Sequence, residues 1–531
     1  MKKKIWSCAV VFVMALSMVA CGNSDGLAQS DAGESARTAS EAQGASSEDA
    51  AEDMAEITMM YYSMGTVPKD IAVVEDAINE ITEVEINTHV TMEVLEPGSY
   101  EQQINLKMSS QEPFDLMMTV PMGSASFSSM AAQNQFMDIT QLLEEYGQPT
   151  LDTIGELIKG TTIDGKIYGV TPRRSLVTSV YIVMRTDVLE DLGLLEKAQN
   201  MTSLEEYEEI LAAVKASEKW NYLAGIVASD VEGTCMAVGG ANLGENRFED
   251  DTCYDPLGDT TKLISASIDG SSSVVMNNYA TEHYRKMYDV MHNWYEKGYV
   301  YGYITTQTDK AEEMIKSNVG FSYFVQSEIG VETAKSTACG MPMTCVKMIT
   351  LPISTGSCTK FVWTVPVTSK EPEAAIKFMN MMYTNQRIAN LLAWGIEGTH
   401  YQVKDGVAYF VDGEDESNAR YHTCDFLYGN QFLVYPWDGQ SADFRSIAEA
   451  EMDDAQISPY LGFSCDTTGI SNETAAVVNV IAEYHPGIDS GVAPEENYDA
   501  FLEKLEKSGA DKIIAEYQMQ LDEWLKDNSG K

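Results

Sequence analysis

The sequence predicts an α/β protein built from βαβ units, and three observations carry that prediction. Short apolar runs alternate with amphipathic helical stretches early in the chain, the order that feeds parallel strands covered by helices on both faces. The stretch from Ile57 to Lys531 is long enough for two ordinary domains or one large two-part body. Hydrophobic residues make up 44% of the chain and charged residues 22%, the balance of a globular protein.

Taken in order, ITMMYYSM (57–64) is a buried strand closed by Gly65 and Pro68. A helix starts at Ile71, with Val74, Ala77, Ile78 and Ile81 on one face. HVTMEVLE (89–96) is a strand, YEQQINLKMSS (100–110) a helix and FDLMMTV (114–120) a strand. Ligands of such sheets bind beyond the carboxyl ends of the strands, which places Tyr61, Tyr62, Ser63 and Met64 near a site. Further on, DGKIYGVTP (164–172) is a turn, a short strand and a proline stop, and SVYIVMRTDVLEDLGL (179–194) is a strand running into a helix. TSLEEYEEILAAVKAS (202–217) is a helix capped by Ser203, with Leu204, Tyr207, Ile210, Leu211 and Val214 as its stripe. NVGFSYFVQ (318–326) and FVWTVPVTS (361–369) are strands, and residues 225–275 show no assignable pattern. Toward the end, Val477, Val480, Ile481 and Tyr484 form one helical stripe after the caps Ser471 and Asn472. Ile514, Tyr517, Leu521 and Trp524 form another.

The N-terminus carries a different message. Lys2, Lys3 and Lys4 precede an apolar run (5–20) broken only by Ser7 and Ser17. That run falls short of the roughly 20 residues a spanning helix needs and has the plan of a secretory signal. MVAC (18–21) resembles a bacterial lipobox, in which Cys21 would be lipidated and become the new N-terminus; Met18 stands where leucine is usual. The alternatives are an ordinary signal peptide, or an uncleaved anchor, holding a chance cysteine. Residues 22–56 contain no aromatic residue, nine acidic residues and one basic residue, Arg37. Such a segment cannot bury enough apolar surface to offset its ordering entropy. The expectation is a signal peptide at 1–20 and a lipidated cysteine with a disordered acidic tether at 21–56. The folded body would then sit on the extracytoplasmic face of the cell membrane.

The chain has a formal charge of −46; with the three signal lysines and the tether's net −8 set aside, −41 remains on the folded part. A surface so negative repels phosphate backbones and anionic headgroups, which excludes nucleic acid as a partner. Seven cysteines follow Cys21: Cys235, Cys253, Cys339, Cys345, Cys358, Cys424 and Cys465. An odd number cannot all pair within one chain, so mostly free, buried thiols are expected, with one or two bridges left open. No CxxC pair occurs and the six histidines do not cluster with cysteines, so no zinc site is expected. The 29 methionines are scattered and read as core filler rather than copper ligands. GTTIDGKI (160–167) matches GxxxxGK but has Ile167 where a P-loop needs Ser or Thr. GNSDG (22–26) lies in the tether, where no nucleophile elbow can form. DGEDESNA (412–419) lacks the spacing of a calcium loop. No cofactor is expected.

Several pieces in this order resemble a family 1 extracellular solute-binding lipoprotein of a bacterial ABC importer of the carbohydrate type. They are the lipobox and tether, SQEPFDLMMT (110–119), DGKIYGVTP, VMRTDVLEDLGL followed by TSLEEYEEIL, VPVTSKEPEAAIKFMNMMYTNQ (365–386) and WGIEGTHY (394–401). The end of the chain, from GFSCDTTGIS onward, is similar to the uncharacterised C-terminal domain of one branch of these lipoproteins. The resemblance implies a two-lobed, periplasmic-binding-protein-like fold of type II, with an interlobe cleft and hinge crossings near 171–180, 360–366 and 431–443. It implies an N-terminal lobe of 57–172 with 363–440, and a C-terminal lobe of 173–362 with 441–531. It further implies a monomer that closes around a small solute, most often an oligosaccharide, and presents it to membrane permease subunits.

A sugar ring offers an apolar face and a fringe of hydroxyls, which suits aromatic platforms beside planar polar side chains. The platforms near inferred strand ends and crossings are Tyr62, Tyr181, Tyr323, Trp363, Trp394, Tyr435 and Trp437; the polar partners are Asp115, Arg173, Glu397, Asp438 and Asp466. Each has a bland reading, as core aromatic, hinge ion pair or turn. The rival function is a surface-anchored glycoside hydrolase, which needs only two suitably placed carboxylates among the chain's 81 acidic residues. A third reading is an adhesin with exposed aromatics and no hinge.

Overall fold

The run ITMMYY becomes β1 (Ala55–Tyr62), paired in parallel with β2 (Thr88–Leu95) over its whole length and with β3 (Leu116–Met118) on its other edge. The computed structural model describes residues 53–121, 123–229, 254–415 and 417–528. The signal segment, Cys21, the tether up to residue 52, Cys235 and Cys253 lie outside them. Ala55 and Glu56, expected in the tether, already belong to β1, because the Ala55 N–H donates to Asn87 O at 3.0 Å and opens the ladder.

Helix α1 (Ile71–Glu85) makes the first crossover with Val74, Ile78 and Ile81 buried. Its Asn79 amide donates to Val90 O at 2.9 Å and accepts from Val90 N at 2.7 Å, which fixes the helix to β2. Helix α2 (Pro97–Ser110) makes the second crossover, with Pro97 in the first turn, where its missing N–H costs nothing. The strip FVWTVPVTS supplies only Trp363–Thr364 as strand, antiparallel to β3 at the sheet edge.

The second sheet holds β4 (Ser179–Arg185), β5 (Ala224–Ile226), β6 (Gly320–Ser327) and β7 (Met343–Thr350), in the order β7-β4-β6-β5. Here β4 runs antiparallel to both neighbours, and only β5 and β6 are parallel. Helix α3 (Leu204–Ala216) buries the predicted stripe on this sheet, and Ser203 Oγ accepts from Glu206 N at 3.3 Å, as a cap should. Helix α4 (Glu282–Glu296) closes the same core with Met291 and Trp294. The two sheets therefore carry separate hydrophobic cores, and the fold is α/β and two-lobed.

Helix α5 (Pro372–Thr384) packs on the first sheet and α6 (Gln386–Trp394) follows it. Asp115 is the bolt here. Its Oδ2 accepts from Thr58 N (3.1 Å), and its Oδ1 accepts from Ser369 Oγ (2.8 Å), Lys370 N (3.0 Å) and Glu371 N (3.1 Å). One carboxylate thus joins β1 to the positive N-terminal end of α5. A hairpin, β8 (Tyr401–Lys404) and β9 (Val407–Phe410), covers α6. Between them the His422 ring lies 4.0 Å from Trp437, 4.9 Å from Trp394 and 5.1 Å from Phe410, and its Nε2 is buried with no partner. Burial drops its pKa to about 4.

Helix α7 (Phe444–Asp453) follows, and the C-terminal part is α8 (Ser471–Asp489), α9 (Glu495–Lys507) and α10 (Ala510–Asn528). These three surround a core with the three-stranded sheet of Tyr254–Asp255, Ile264–Ser267 and Val275–Asn277. Both predicted stripes lie in α8 and α10, whereas α9, with Tyr498, Phe501 and Leu505 inward, had no counterpart in the sequence reading. No disulfide joins any of the five described cysteines. Among the described residues no helix is long and apolar enough to cross a membrane.

Two stability predictions follow from these contacts. Asp115→Ala leaves buried donors unmatched and should cost about 3 kcal/mol in urea unfolding at neutral pH. His422 is held neutral in the fold but titrates at about 6.5 once unfolded, so falling pH protonates the unfolded chain first. Its contribution is whole above pH about 6.5 and is lost as pH drops toward 4. Between about pH 7.5 and about pH 4.5 the native protein should lose about 2–3 kcal/mol more stability than His422→Phe, measured by urea unfolding at both values.

Candidate ligand-binding site

Where the two sheets meet, strips of main chain from distant parts of the sequence run side by side. Val170 and Trp363 exchange both backbone hydrogen bonds, at 2.9 and 3.0 Å. Arg173 N donates to Gly429 O (2.7 Å) and Gln431 N to Arg173 O (2.9 Å); Leu351 N donates to Thr178 O (2.8 Å). Ile353 N donates to Gln456 O and Ser458 N to Ile353 O, both at 2.9 Å. Helix α7 bridges the junction: Phe444 at its start lies over Gly330 just past β6, and Met452 near its end packs into the first-lobe core.

A cavity of about 130 Å³ opens at this junction. Ser175 lines it from the first crossing, Glu328 and Ile329 from the end of β6, Asp425, Gln431, Trp437 and Gln440 from the segment before α7, and Phe444, Arg445 and Ala448 from α7. Its floor is a closed polar network. Asp425 Oδ1 accepts from Gln431 Nε2 at 2.8 Å, and Oδ2 accepts from Trp437 Nε1 at 2.8 Å and from Arg445 Nη2. Gln431 Oε1 accepts from Ser175 N (3.3 Å), Gln440 Oε1 from Trp437 N (2.9 Å), and Arg445 Nε donates to Val434 O (3.2 Å). The indole of Trp437 is held at one edge by Asp425 and backed by Trp394, 4.8 Å away.

Behind the cavity, the Arg174 guanidinium stacks over Phe361 (5.7 Å) and Phe426 (5.8 Å), with Nη1 at 3.7 Å from Glu328 Oε1. Burial pulls the Arg174 pKa down, and burial with Arg174 alongside pulls Lys360 down too. Burial raises the Glu328 carboxyl, against the opposing pull of Arg174 and Lys360.

Of the residues singled out in the sequence, Trp437 lines this cavity and Asp438 flanks it, exposed in the next turn. Arg173 belongs to the same junction, paired with Glu449 (3.2 Å) and Asp453 (3.4 Å) of α7 and lying over Phe432. Trp394 stands one layer behind, buried, donating to Tyr435 O. The others lie elsewhere. Tyr62 is buried at the end of β1 between Tyr100 and Phe361, and burial pushes its phenol up to about 12. Trp363 is fully buried and donates to Leu427 O at 2.8 Å. Tyr181 and Tyr323 share the face of the second sheet that packs on Met314, Ile315 and Cys339. Asp115 spends its oxygens inside the first lobe, Glu397 is exposed in the turn before β8, and Asp466 Oδ1 caps its own turn through Thr468 N.

The sequence reading missed Ser175, Glu328, Asp425, Gln431, Gln440 and Arg445. Glu328 was within reach, two residues past the predicted strand NVGFSYFVQ, where ligand groups belong. An aromatic step was missed as well. Tyr301 N donates to Ile226 O (2.8 Å), so 299–301 runs parallel alongside β5; just past it Tyr303 is 72% exposed, 5.9 Å from Tyr301. The signal was the run YVYGY (299–303).

Known proteins share this fold. A carbohydrate ABC transporter substrate-binding protein of Streptococcus pneumoniae serotype 4 is 24% identical over 534 residues, 99% of each chain. The crystal structure of the N-glycan transport solute-binding protein of S. pneumoniae is 20% identical, overlays with a TM-score of 0.73 and covers 89% of this chain and 99% of that one. The same protein in complex with Man1GlcNAc overlays at 0.62. An HMO-binding, ABC-transporter-associated solute-binding protein of Bifidobacterium longum infantis is 14% identical, with a TM-score of 0.60 over 88% of this chain and 98% of that one. Residues 459–526 match a domain family of unknown function. The family model of bacterial extracellular solute-binding proteins matches residues 76–399, more than half of the chain. The chain belongs to the bacterial extracellular solute-binding protein family.

Proposed function

We propose that this protein captures an oligosaccharide in the cleft between its lobes and delivers it, as a monomer, to the permease of an ABC importer. In this reading the lobes are 57–172 with 363–440, to which β1 adds Ala55 and Glu56, and 173–362 with 441–531, whose Leu176, Val177, Ile353 and Met452 pack into the first core. The observation that carries the reading is the cavity at the junction of the two cores, where an indole stands among planar polar side chains. That combination suits a ring with an apolar face and a hydroxyl fringe. Exposed Tyr303, just past the strip that runs parallel to β5, would supply a further platform for a second ring. The sugar-related names of the similar proteins support the ligand class. Lipidation at Cys21 would hold the body at the extracytoplasmic membrane surface, where a permease can meet it.

Binding rather than hydrolysis is favoured by the state of the carboxylates. A glycoside hydrolase needs two carboxyl groups free to exchange protons or attack. Of the two in the cavity, Asp425 has both oxygens engaged by Gln431, Trp437 and Arg445.

Thermal melting of the chain from residue 22 onward, against oligosaccharides, amino acids, peptides and polyamines, tests the reading. A ligand selective for the native state raises the midpoint by mass action. One class of oligosaccharide should do so and be recovered intact; a shift only with peptides or polyamines would sink the carbohydrate reading, and shortened sugar would point to a hydrolase. Tyr303→Ala should leave the unliganded midpoint unchanged, because the ring is exposed, and weaken the same sugar about tenfold.

A further inference from the structure

Residues 459–526, which match a domain family of unknown function, hold α8, α9 and nearly all of α10. They form a packed body with a core of their own, the third in the molecule, and that body is fastened at two ends. At the first end the chain alternates between cores. Tyr460 and Phe463 are buried in the third core, whereas Leu461 between them is buried in the core of the first lobe. Tyr460 Oη donates to Ser267 O at 2.7 Å, on the third-core side. On the other side, Thr355 Oγ1 accepts from Gly462 N at 2.8 Å and donates to Tyr460 O at 3.3 Å. The short helix that Thr355 opens (Thr355–Cys358) buries Cys358 in the first-lobe core.

The second end grips helix α4, which two cores share. Met287, Met291 and Trp294 face the second-lobe core, and Tyr284 and Tyr288 face the third. The link from α8 to α9 runs antiparallel along this helix. Arg285 Nη2 donates to Glu495 Oε1 (2.6 Å), Tyr288 Oη to Ala493 O (3.0 Å) and His292 Nδ1 to Gly491 O (2.7 Å). Positions 285, 288 and 292 lie on one helical face, so the link follows α4 for two turns. At Gly491, with φ +73°, a Cβ would come within 2.3 Å of Met291 O, so the link rests directly on the helix backbone. Val492 beside it packs on the second-lobe core.

For bodies joined only by narrow strips of chain, relative motion is the default. A third body with its own core, fastened to lobe one at one end and to lobe two at the other, takes that freedom away. We propose that the C-terminal domain is a strut between the lobes, fixing their spacing and so the width of the space between them. The proposal rests on the two-lobed fold and not on the identity of any ligand.

Amide hydrogen exchange on the chain from residue 22 onward tests it with two variants that remove hydrogen bonds and keep side-chain volume. Tyr288→Phe loosens the lobe-two end and Thr355→Val the lobe-one end. Tyr100→Phe, which loses a buried bond to Met118 O inside lobe one, controls for a general loss of stability. The readout is the amides of Arg173, Gln431 and Leu351 in the strips that cross between the lobes, none of which belongs to the third core. Sites without shared partners act independently, so a change at either end reaches these amides only through the strut. Scaled by each variant's stability in urea, their exchange should quicken about fivefold or more in both end variants and hold steady in Tyr100→Phe. Quickening that stays within the altered end in either variant, or that Tyr100→Phe matches, would overturn the strut. It would leave the capture of a sugar untouched, since no ligand enters the measurement.

Discussion

The cleft exists because strips of backbone far apart in sequence are hydrogen-bonded side by side where the lobes join. Val170 pairs with Trp363, Arg173 with Gly429 and Gln431, Thr178 with Leu351, and Ile353 with Gln456 and Ser458. Each bond adds only about 1 kcal/mol net, but a buried strip that lost its partner would strand donors and acceptors at once. One position makes the packing possible. Gly429 sits at φ +38°, and a Cβ there would come within 2.0 Å of Met382 O, so only glycine lets this strip lie against α5. The register then decides the site: Ser175 and Gln431 reach the cavity because Arg173 and Gln431 are locked as partners.

Charge is distributed to the same end. In a chain of net −46, three arginines gather at this junction. Arg173 binds two carboxylates of α7, Arg174 stacks between Phe361 and Phe426, and Arg445 neutralises Asp425. Planar guanidinium suits each place, since it can stack on a ring and still donate in its own plane, which a lysine ammonium cannot. Acidic segments brought together at the junction repel one another, and these cations offset that repulsion where it is least screened.

How much of this was legible varies by element. The first lobe was, because α1 follows a period of 3.6, β2 begins with an alternation of 2, and β1 and β3 are continuous apolar runs that end up buried. Helix α3 and the C-terminal stripes were legible for the same reason. The antiparallel run of β4 was not, since an apolar strand has no mark of direction. FVWTVPVTS overstated its strand: it pairs with β3 over two residues and then turns to meet Asp115. Helix α9 was hidden in a stretch rich in acidic residues, where three inward side chains are easy to overlook.

The site was far less legible than the fold, and the reason is chemical. Large aromatic residues are conspicuous in a sequence, yet their area makes them the natural filling of a core: Trp363, Tyr323 and Trp394 are buried and bonded within the protein. The residues that converge on the cavity are Ser, Gln and Glu, whose capacity matters only once the fold decides which of their bonds are already spent. Gln431 and Asp425 look like ordinary loop residues until one sees that each satisfies the other. Ser175 differs from any surface serine only because the crossings bury it and leave its hydroxyl alone. Trp437 belongs to both groups. Trp394 and His422 hold it from behind as core, Asp425 pins its edge and Gln440 holds its backbone N–H, so the indole stands rigid at the cavity wall before any ligand arrives. A platform ordered in advance loses little freedom on binding, which is why one aromatic in the right frame serves better than several scattered through the lobes.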